Sequence, residues 1–231
     1  MYKGKTFLAI IPARGGSKGL PGKNIKNLAG KSLICHTIDE AKKSKYIDKV
    51  VVSTDDESIA HAAIECGAEC PFLRPEHLAS DDALVNDTYI YMLEKLSTEY
   101  EIDIPEFMVL QPTSPLRTVN DIDGAIELFR EKNADSVISY TEEIHPVSWH
   151  KFLDENLHFI DIFDQKMANR QELRKSYYPN GAIYIFKKEI IFQEKWYTDK
   201  SFAYLMPRLR SVDIDTIDDF MYAEYLLDIQ S

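Results

Sequence analysis

TFLAII at residues 6–11 runs directly into PARGGSKGLPGKN at residues 12–24. The first piece is short, aliphatic and stopped by Pro12, which predicts a buried strand. The second holds four glycines between Gly15 and Gly22, together with the cations Arg14, Lys18 and Lys23. In an α/β sheet, ligands bind outside the carboxyl ends of the strands, so this loop falls where a ligand would sit. Glycines let the backbone approach a phosphate and aim N–H groups at it, and the cations add charged donors. Two familiar phosphate loops are excluded by spacing. A Walker A loop needs Gly five residues before the Gly of Gly-Lys, and those positions hold Ser17 and Ile25. A dinucleotide fingerprint needs glycines two apart, and this loop has none.

Outward from the loop, apolar runs alternate with amphipathic stretches. Leu33–Lys43 reads as a helix and Lys49–Ser53 as a strand. Thr54 with Glu57 forms a capping-box pattern opening a helix to about Glu65. A short strand is expected at Cys70–Leu73. Ser80-Asp81-Asp82 is expected to cap a long helix to about Leu96. Strands at Phe107–Leu110 and Ser136–Tyr140 flank a helix at Ile122–Lys132. Residues 141–180 lose the pattern and read as an excursion, a small β lobe or dimerisation arm. Gly181–Phe186 returns to strand character, Val212–Asp215 is a last short strand, and Thr216–Leu227 is a closing helix. Strands alternating with helices predict βαβ units, a mainly parallel sheet and an α/β fold over residues 1–231 as one domain.

Composition narrows the function. The chain has 231 residues, with 27 Lys plus Arg against 38 Asp plus Glu, for a net charge of −11. That balance argues against nucleic-acid binding, which needs a basic surface. The charge is uneven, since seven cations precede the first carboxylate at Asp39. No apolar run reaches the roughly 18 residues of a membrane span. The N-terminus lacks the pattern of a signal peptide, so a cytoplasmic location and no membrane partner are expected. Cys35, Cys66 and Cys70 are too few for a disulfide framework or a zinc site and read as packing residues. The six histidines have no metal-like spacing.

The loop Ile11–Asn24 resembles the signature of the acylneuraminate cytidylyltransferases, the CMP-sialic acid synthetase family. Further blocks match in order: Ser53-Thr54-Asp55-Asp56, Arg74-Pro75 with Leu78-Ala79-Ser80-Asp81, and Gln111-Pro112-Thr113-Ser114-Pro115-Leu116-Arg117. Arg170-Gln171, Asn180-Gly181-Ala182-Ile183-Tyr184 and Asp213-Ile214-Asp215-Thr216 complete the set. The resemblance implies a Rossmann-like, three-layer nucleotidyltransferase fold and a homodimer, with residues 141–180 reaching across. It also implies Mg²⁺-dependent transfer of CMP from CTP to the anomeric hydroxyl of a nonulosonic acid, with pyrophosphate released and Mn²⁺ as a substitute metal. The sugar could be of neuraminic, legionaminic or pseudaminic type. A Kdo cytidylyltransferase is the nearest alternative, but that family carries a metal-binding Asp where this chain has Gln111-Pro-Thr-Ser-Pro. A nucleotide-binding regulatory module without activity is the alternative from another class.

Roles follow residue by residue. Arg14, Lys18 and Lys23 would hold the triphosphate, with Gly15, Gly16 and Ser17 as neutral donors and Arg14, Lys23 and Asp215 catalytic. The resemblance gives Asn24 and Arg74 the cytidine end. For Arg74 the sequence equally allows an ion pair with Glu76 or Glu65. Asp213 and Asp215 are the metal candidates, because residues two apart on an extended strand face one side and hard oxygen ligands suit Mg²⁺. Gln111, stiffened by two prolines, would present a fixed amide to the sugar. Arg170 could fork the sugar carboxylate, and Asn180 and Tyr184 match the family's sugar-contacting positions.

Overall fold

The computed structural model describes residues 7–163 and 173–229. The elements run β1 (Leu8–Pro12), β2 (Asn27–Leu28), β3 (Lys31–Ser32), α1 (Leu33–Lys43), β4 (Lys49–Ser53) and α2 (Glu57–Glu65). Next come α3 (Val85–Glu99), β5 (Glu106–Leu110), α4 (Val119–Glu131) and β6 (Ser136–Glu142). The chain continues through β7 (Lys151–Leu153), β8 (Phe159–Asp161), β9 (Tyr177–Lys187), α5 (Lys188–Phe192), β10 (Ser201–Leu205) and α6 (Ile217–Asp228).

The main sheet has the order β10-β6-β9-β5-β1-β4. β1 runs parallel to β4 and β5, and β10 runs parallel to β6. β9 is antiparallel to both of its neighbours, β5 and β6. The sheet is mainly parallel, as expected, with one reversed strand in its middle. Its reversal matters for the site, because β9 enters the sheet at the edge where the parallel strands end.

Period-two alternation sorts the strand residues onto two faces. Ala9, Ile11, Met108 and Leu110 pack under α1, α2 and α4 through Ile34, Ile38, Ile59, Ile122 and Ile126. Leu8, Ile10, Phe107 and Val109 meet α3 and α5 through Tyr89, Met92, Leu93, Leu96, Ile190 and Ile191. Helices therefore cover both faces of the sheet, giving three layers. The strands read as continuous apolar runs because neither face meets water.

Several local expectations are corrected. Asp56, not Thr54, caps α2, its Oδ1 accepting from the N–H groups of Ser58 (2.7 Å) and Ile59 (3.1 Å). Thr54 is buried at the end of β4, where its hydroxyl accepts from the Asp56 N–H instead. Cys70–Leu73 is not a strand; only Glu69 bridges to Val51. α3 begins at Val85, so Ser80–Asp82 lie in the preceding loop. Val212–Asp215 has no ladder, and Ile214 N–H simply donates to Thr113 O at 2.8 Å. β10, an edge strand with weak alternation, has no counterpart in the sequence reading. Cys35 and Cys66 form a disulfide between α1 and the end of α2, with Cα atoms 5.7 Å apart, while Cys70 is free. Spacing along the chain does not reveal that pair, because helix packing brings it together.

The excursion leaves the sheet after Glu142 and returns at Tyr177. Its described part holds the β7–β8 hairpin, whose Phe152, Leu153, Phe159 and Ile160 are exposed.

Candidate active site

β1 ends at Pro12, and the glycine loop leaves the sheet there, beside the ends of β4 and β5. The loop walls a cleft of about 300 Å³ with Arg14, Ser17, Lys18, Lys23 and Asn24. Gln111, Asp213 and Asp215 line the same cleft. Arg14 also borders an adjoining cleft of about 320 Å³, shared with Arg74, Ser80, Asp81 and Val85.

Each loop cation already has an anionic partner. Arg14 Nη1 stands 3.0 Å from Asp81 Oδ1, and Lys18 Nζ stands 2.6 Å from Asp81 Oδ2. Lys18, then Arg14, hold the Asp81 carboxyl below the usual range. Lys23 Nζ donates to Ile214 O at 2.8 Å and to Asp215 Oδ1 at 3.0 Å. Asn24 is buried and donates to Arg14 O at 3.1 Å, which ties the two ends of the loop together.

The glycines earn their places by close approach. A Cβ on Gly19 would stand 2.4 Å from Asp215 O, so the loop lies directly against the carboxylate segment. Gly15 N–H donates to Asp55 Oδ1 at 3.1 Å and is therefore occupied, while Gly16 is exposed. Asp55 Oδ1 also lies 3.6 Å from Arg74 Nη2. Arg74 is buried, its Nε has no acceptor among the described residues, and the residue lines the adjoining cleft. Burial lowers its pKa, and Asp55 partly restores it. No ion pair with Glu76 or Glu65 forms among the described residues.

Asp213 and Asp215 face one cleft, as their spacing predicts, with Ile214 buried between them. Asp213 is exposed overall, while its Oδ2 lies close over Gly181, 3.1 Å from where a Cβ there would stand. Burial raises its pKa, Thr113 opposes through a hydrogen bond, and the neighbouring Asp215 raises it further. No group of three or more His, Cys, Asp or Glu forms a metal cluster among the described residues. Two carboxylates without further protein ligands fit a hard cation that completes its shell with water and phosphate oxygens, as Mg²⁺ does.

The structure places the sugar-side candidates differently from one another. Gln111 lines the cleft next to Asp213. Asn180 does not present its amide there. It is buried, its Oδ1 accepting from Ser139 Oγ (2.5 Å) and its Nδ2 donating to Ser211 Oγ (2.8 Å). Tyr184 stacks on Phe186 with ring centroids 6.3 Å apart and meets Trp196 edge-on at 5.6 Å. Burial pushes its phenol up to about 12, with Asp213 and Tyr140 adding to the shift. Asn180 and Tyr184 are thus both buried in the packing around β9 and line neither cleft. Arg170 lies outside the described residues. Asp55 and Asp81 are site residues that sequence reasoning did not assign. Both stand in blocks that carry the family resemblance, Ser53–Asp56 and Leu78–Asp81, which marked the segments without giving these two carboxylates a role.

A basic, glycine-rich loop facing two carboxylates across the carboxyl edge of a three-layer sheet defines an α/β nucleotidyltransferase-like protein. The fold matches that of a CMP:2-keto-3-deoxy-manno-octonic acid synthetase solved in complex with CTP. Its TM-score is 0.73, with 16% identity and coverage of 98% of this chain and 100% of that one. The chain belongs to the cytidylyltransferase family, whose sequence profile matches residues 8–230. It is 42% identical over 219 residues to the N-acylneuraminate cytidylyltransferase of Streptococcus agalactiae, covering 93% of this chain and 52% of that protein. It is 38% identical over 227 residues to the CMP-N,N'-diacetyllegionaminic acid synthase of Legionella pneumophila, covering 96% and 97%. The pseudaminic acid cytidylyltransferase of Campylobacter jejuni is 34% identical over 222 residues, with 95% of each chain covered. The chain thus spans about half the length of the streptococcal relative and nearly all of the other two. Among the described residues, no helix is long and apolar enough to cross a membrane.

Proposed function

We propose that the protein transfers CMP from CTP to the anomeric hydroxyl of a nonulosonic acid and releases pyrophosphate. The observation that carries this reading is the single cleft in which Arg14, Lys18 and Lys23 face Asp213 and Asp215. The anomeric oxygen forms a bond to the α-phosphorus while the bond to the β-phosphate oxygen breaks. The electron pair leaves with pyrophosphate, and the hydroxyl proton passes to water. The work asked of the protein is positioning and charge stabilisation, with no covalent intermediate.

Arg14 and Lys18 bind the phosphates once Asp81 is displaced, and Lys23 carries charge to the leaving group. Asn24 and Arg74 hold the cytidine end, and Gln111 presents its amide to the acceptor. Asp213 and Asp215 would hold Mg²⁺, or Mn²⁺ in its place. When bound, the metal neutralises charge that builds on the phosphate oxygens. Relatives named for neuraminic, legionaminic and pseudaminic acids support a nonulosonic acceptor. The exposed apolar hairpin within residues 141–180 supports a homodimer, and we assign the protein to the cytoplasm.

The test is pyrophosphate release with CTP, Mg²⁺ and each of the three acids in parallel. Release with at least one acid, and none without CTP, is expected. CTP binding without turnover on any of the three would favour a regulatory nucleotide-binding module.

A further inference from the structure

Arg117 is the bulkiest of the fully buried side chains among the described residues, with 1% exposed. No carboxylate pairs with it among those residues; Asp121 and Glu40 act on it only at a distance. Burial pushes its guanidinium down to about 10, and its Nε has no acceptor. A buried cation without a carboxylate is costly, and an apolar side chain would pack there at lower cost.

What the guanidinium does is gather three elements. Nη1 donates to Gln111 O at 3.2 Å, just past β5, and to Ala182 O at 2.6 Å in β9. Nη2 donates to Thr37 Oγ1 of α1 at 2.7 Å. Ala182 follows Gly181, which has φ +75 and forms the floor beneath two cleft residues. A Cβ at Gly181 would stand 2.9 Å from Gln111 Oε1 and 3.1 Å from Asp213 Oδ2. Arg117 thus grips the backbone that carries Gln111 and the backbone on which Gln111 and Asp213 rest. No hydrogen bond or ion pair among the described residues joins it to Arg14, Lys18 or Lys23.

We propose that Arg117 is a positioning residue for the acceptor side of the cleft, setting the Gln111 amide against Asp213 over the Gly181 floor. The inference rests on the reading of Gln111 as facing the acceptor sugar. A planar fork with parallel donors makes these contacts, and a lysine ammonium cannot reproduce them.

Arg117→Lys keeps the charge and Arg117→Met keeps apolar volume. Both are expected to raise the acceptor KM about tenfold or to lower kcat by as much. The CTP Kd, titrated without acceptor, is expected to stay within about twofold. Equal weakening of CTP binding, or unchanged acceptor kinetics, would overturn the proposal. If either variant fails to fold, Thr37→Val removes one partner of the fork and should raise acceptor KM about threefold in the same pattern. An unchanged KM in Thr37→Val overturns the proposal. Native-state hydrogen exchange separates this idea from the functional reading, since it needs no turnover. Faster exchange at Gln111 and Ala182 with unchanged protection at residues 14–24 supports positioning, and uniform loosening overturns it.

Discussion

The Asp81 carboxylate stands 2.6 Å from Lys18 Nζ while its other oxygen holds Arg14 at 3.0 Å, so one side chain occupies two cations of the phosphate loop. An incoming polyphosphate competes with that carboxylate. Surface ion pairs are individually weak, so the competition is modest. Asp81→Asn is expected to tighten CTP binding about fivefold, read by calorimetry. Weaker binding in the variant would mean that Asp81 organises the loop for the nucleotide.

Gly19 is the point where the loop meets the acidic segment. Its missing Cβ would lie 2.4 Å from Asp215 O, a backbone atom that cannot rotate away. Gly19→Ala should displace Lys23 from Asp215 and cost about a hundredfold in kcat/KM, since a shift near 1 Å has that effect. The melting temperature is expected to change little, because the loop is surface-exposed. Full activity with the alanine in place would show that the loop and segment move freely.

Asp215→Asn preserves size and still offers an oxygen to Lys23, but it removes a charge from the metal candidates. Turnover is expected to fall by about two orders of magnitude, with circular dichroism unchanged. A near-normal rate at saturating Mg²⁺ would sink the assignment of Asp215 as a ligand.

Asp121 is buried, and Arg210 reaches it through Nε at 2.9 Å and Nη2 at 2.8 Å. Burial raises the Asp121 pKa, but the hydrogen bonds from Arg210 and Thr118 outweigh it and the net shift is downward. A depressed folded pKa contributes stability above the unfolded pKa of about 3.9, and that stability is lost as pH falls through the folded value. Asp121→Asn is expected to cost about 3 kcal/mol at pH 7, measured by urea unfolding. The gap between variant and wild type should close as the pH drops below about 4. A gap constant with pH would show that packing, not charge, sets the loss.

The β7–β8 hairpin pairs Leu153 with Phe159, and both side chains are exposed. Covering them in a homodimer removes apolar surface from water. Light scattering should give about twice the 26.6 kDa chain mass, and the double variant Leu153→Asp, Phe159→Asp should run as a monomer. A monomeric wild type at micromolar concentration would exclude the dimer.

Much of the layer architecture was legible from residues 6–53, because a strand and a helix differ in period within a few residues. Leu33–Lys43 and Lys49–Ser53 fall where that period places them. Caps were less legible. Asp56 and Thr54 are both good capping residues, and only the burial of Thr54 at the strand end separates them. The resemblance gives Asn180 a sugar contact, and only the tertiary structure shows its amide bonded to Ser139 and Ser211 from distant segments.

The basic glycine loop, its place after the first strand and the acidic pair near the end of the chain are local properties, and the amino-acid sequence alone determined them. The meeting of Lys23 with Asp215, 192 residues apart, depended on how the sheet and its crossovers pack. So did the reversal of β9, the bond between Cys35 and Cys66, and the capture of Arg14 and Lys18 by Asp81. Hydrophobic period and turn chemistry act over a few residues, so they can be read along the chain. Partners brought together by strand order have no local signature, and only the tertiary structure decides them.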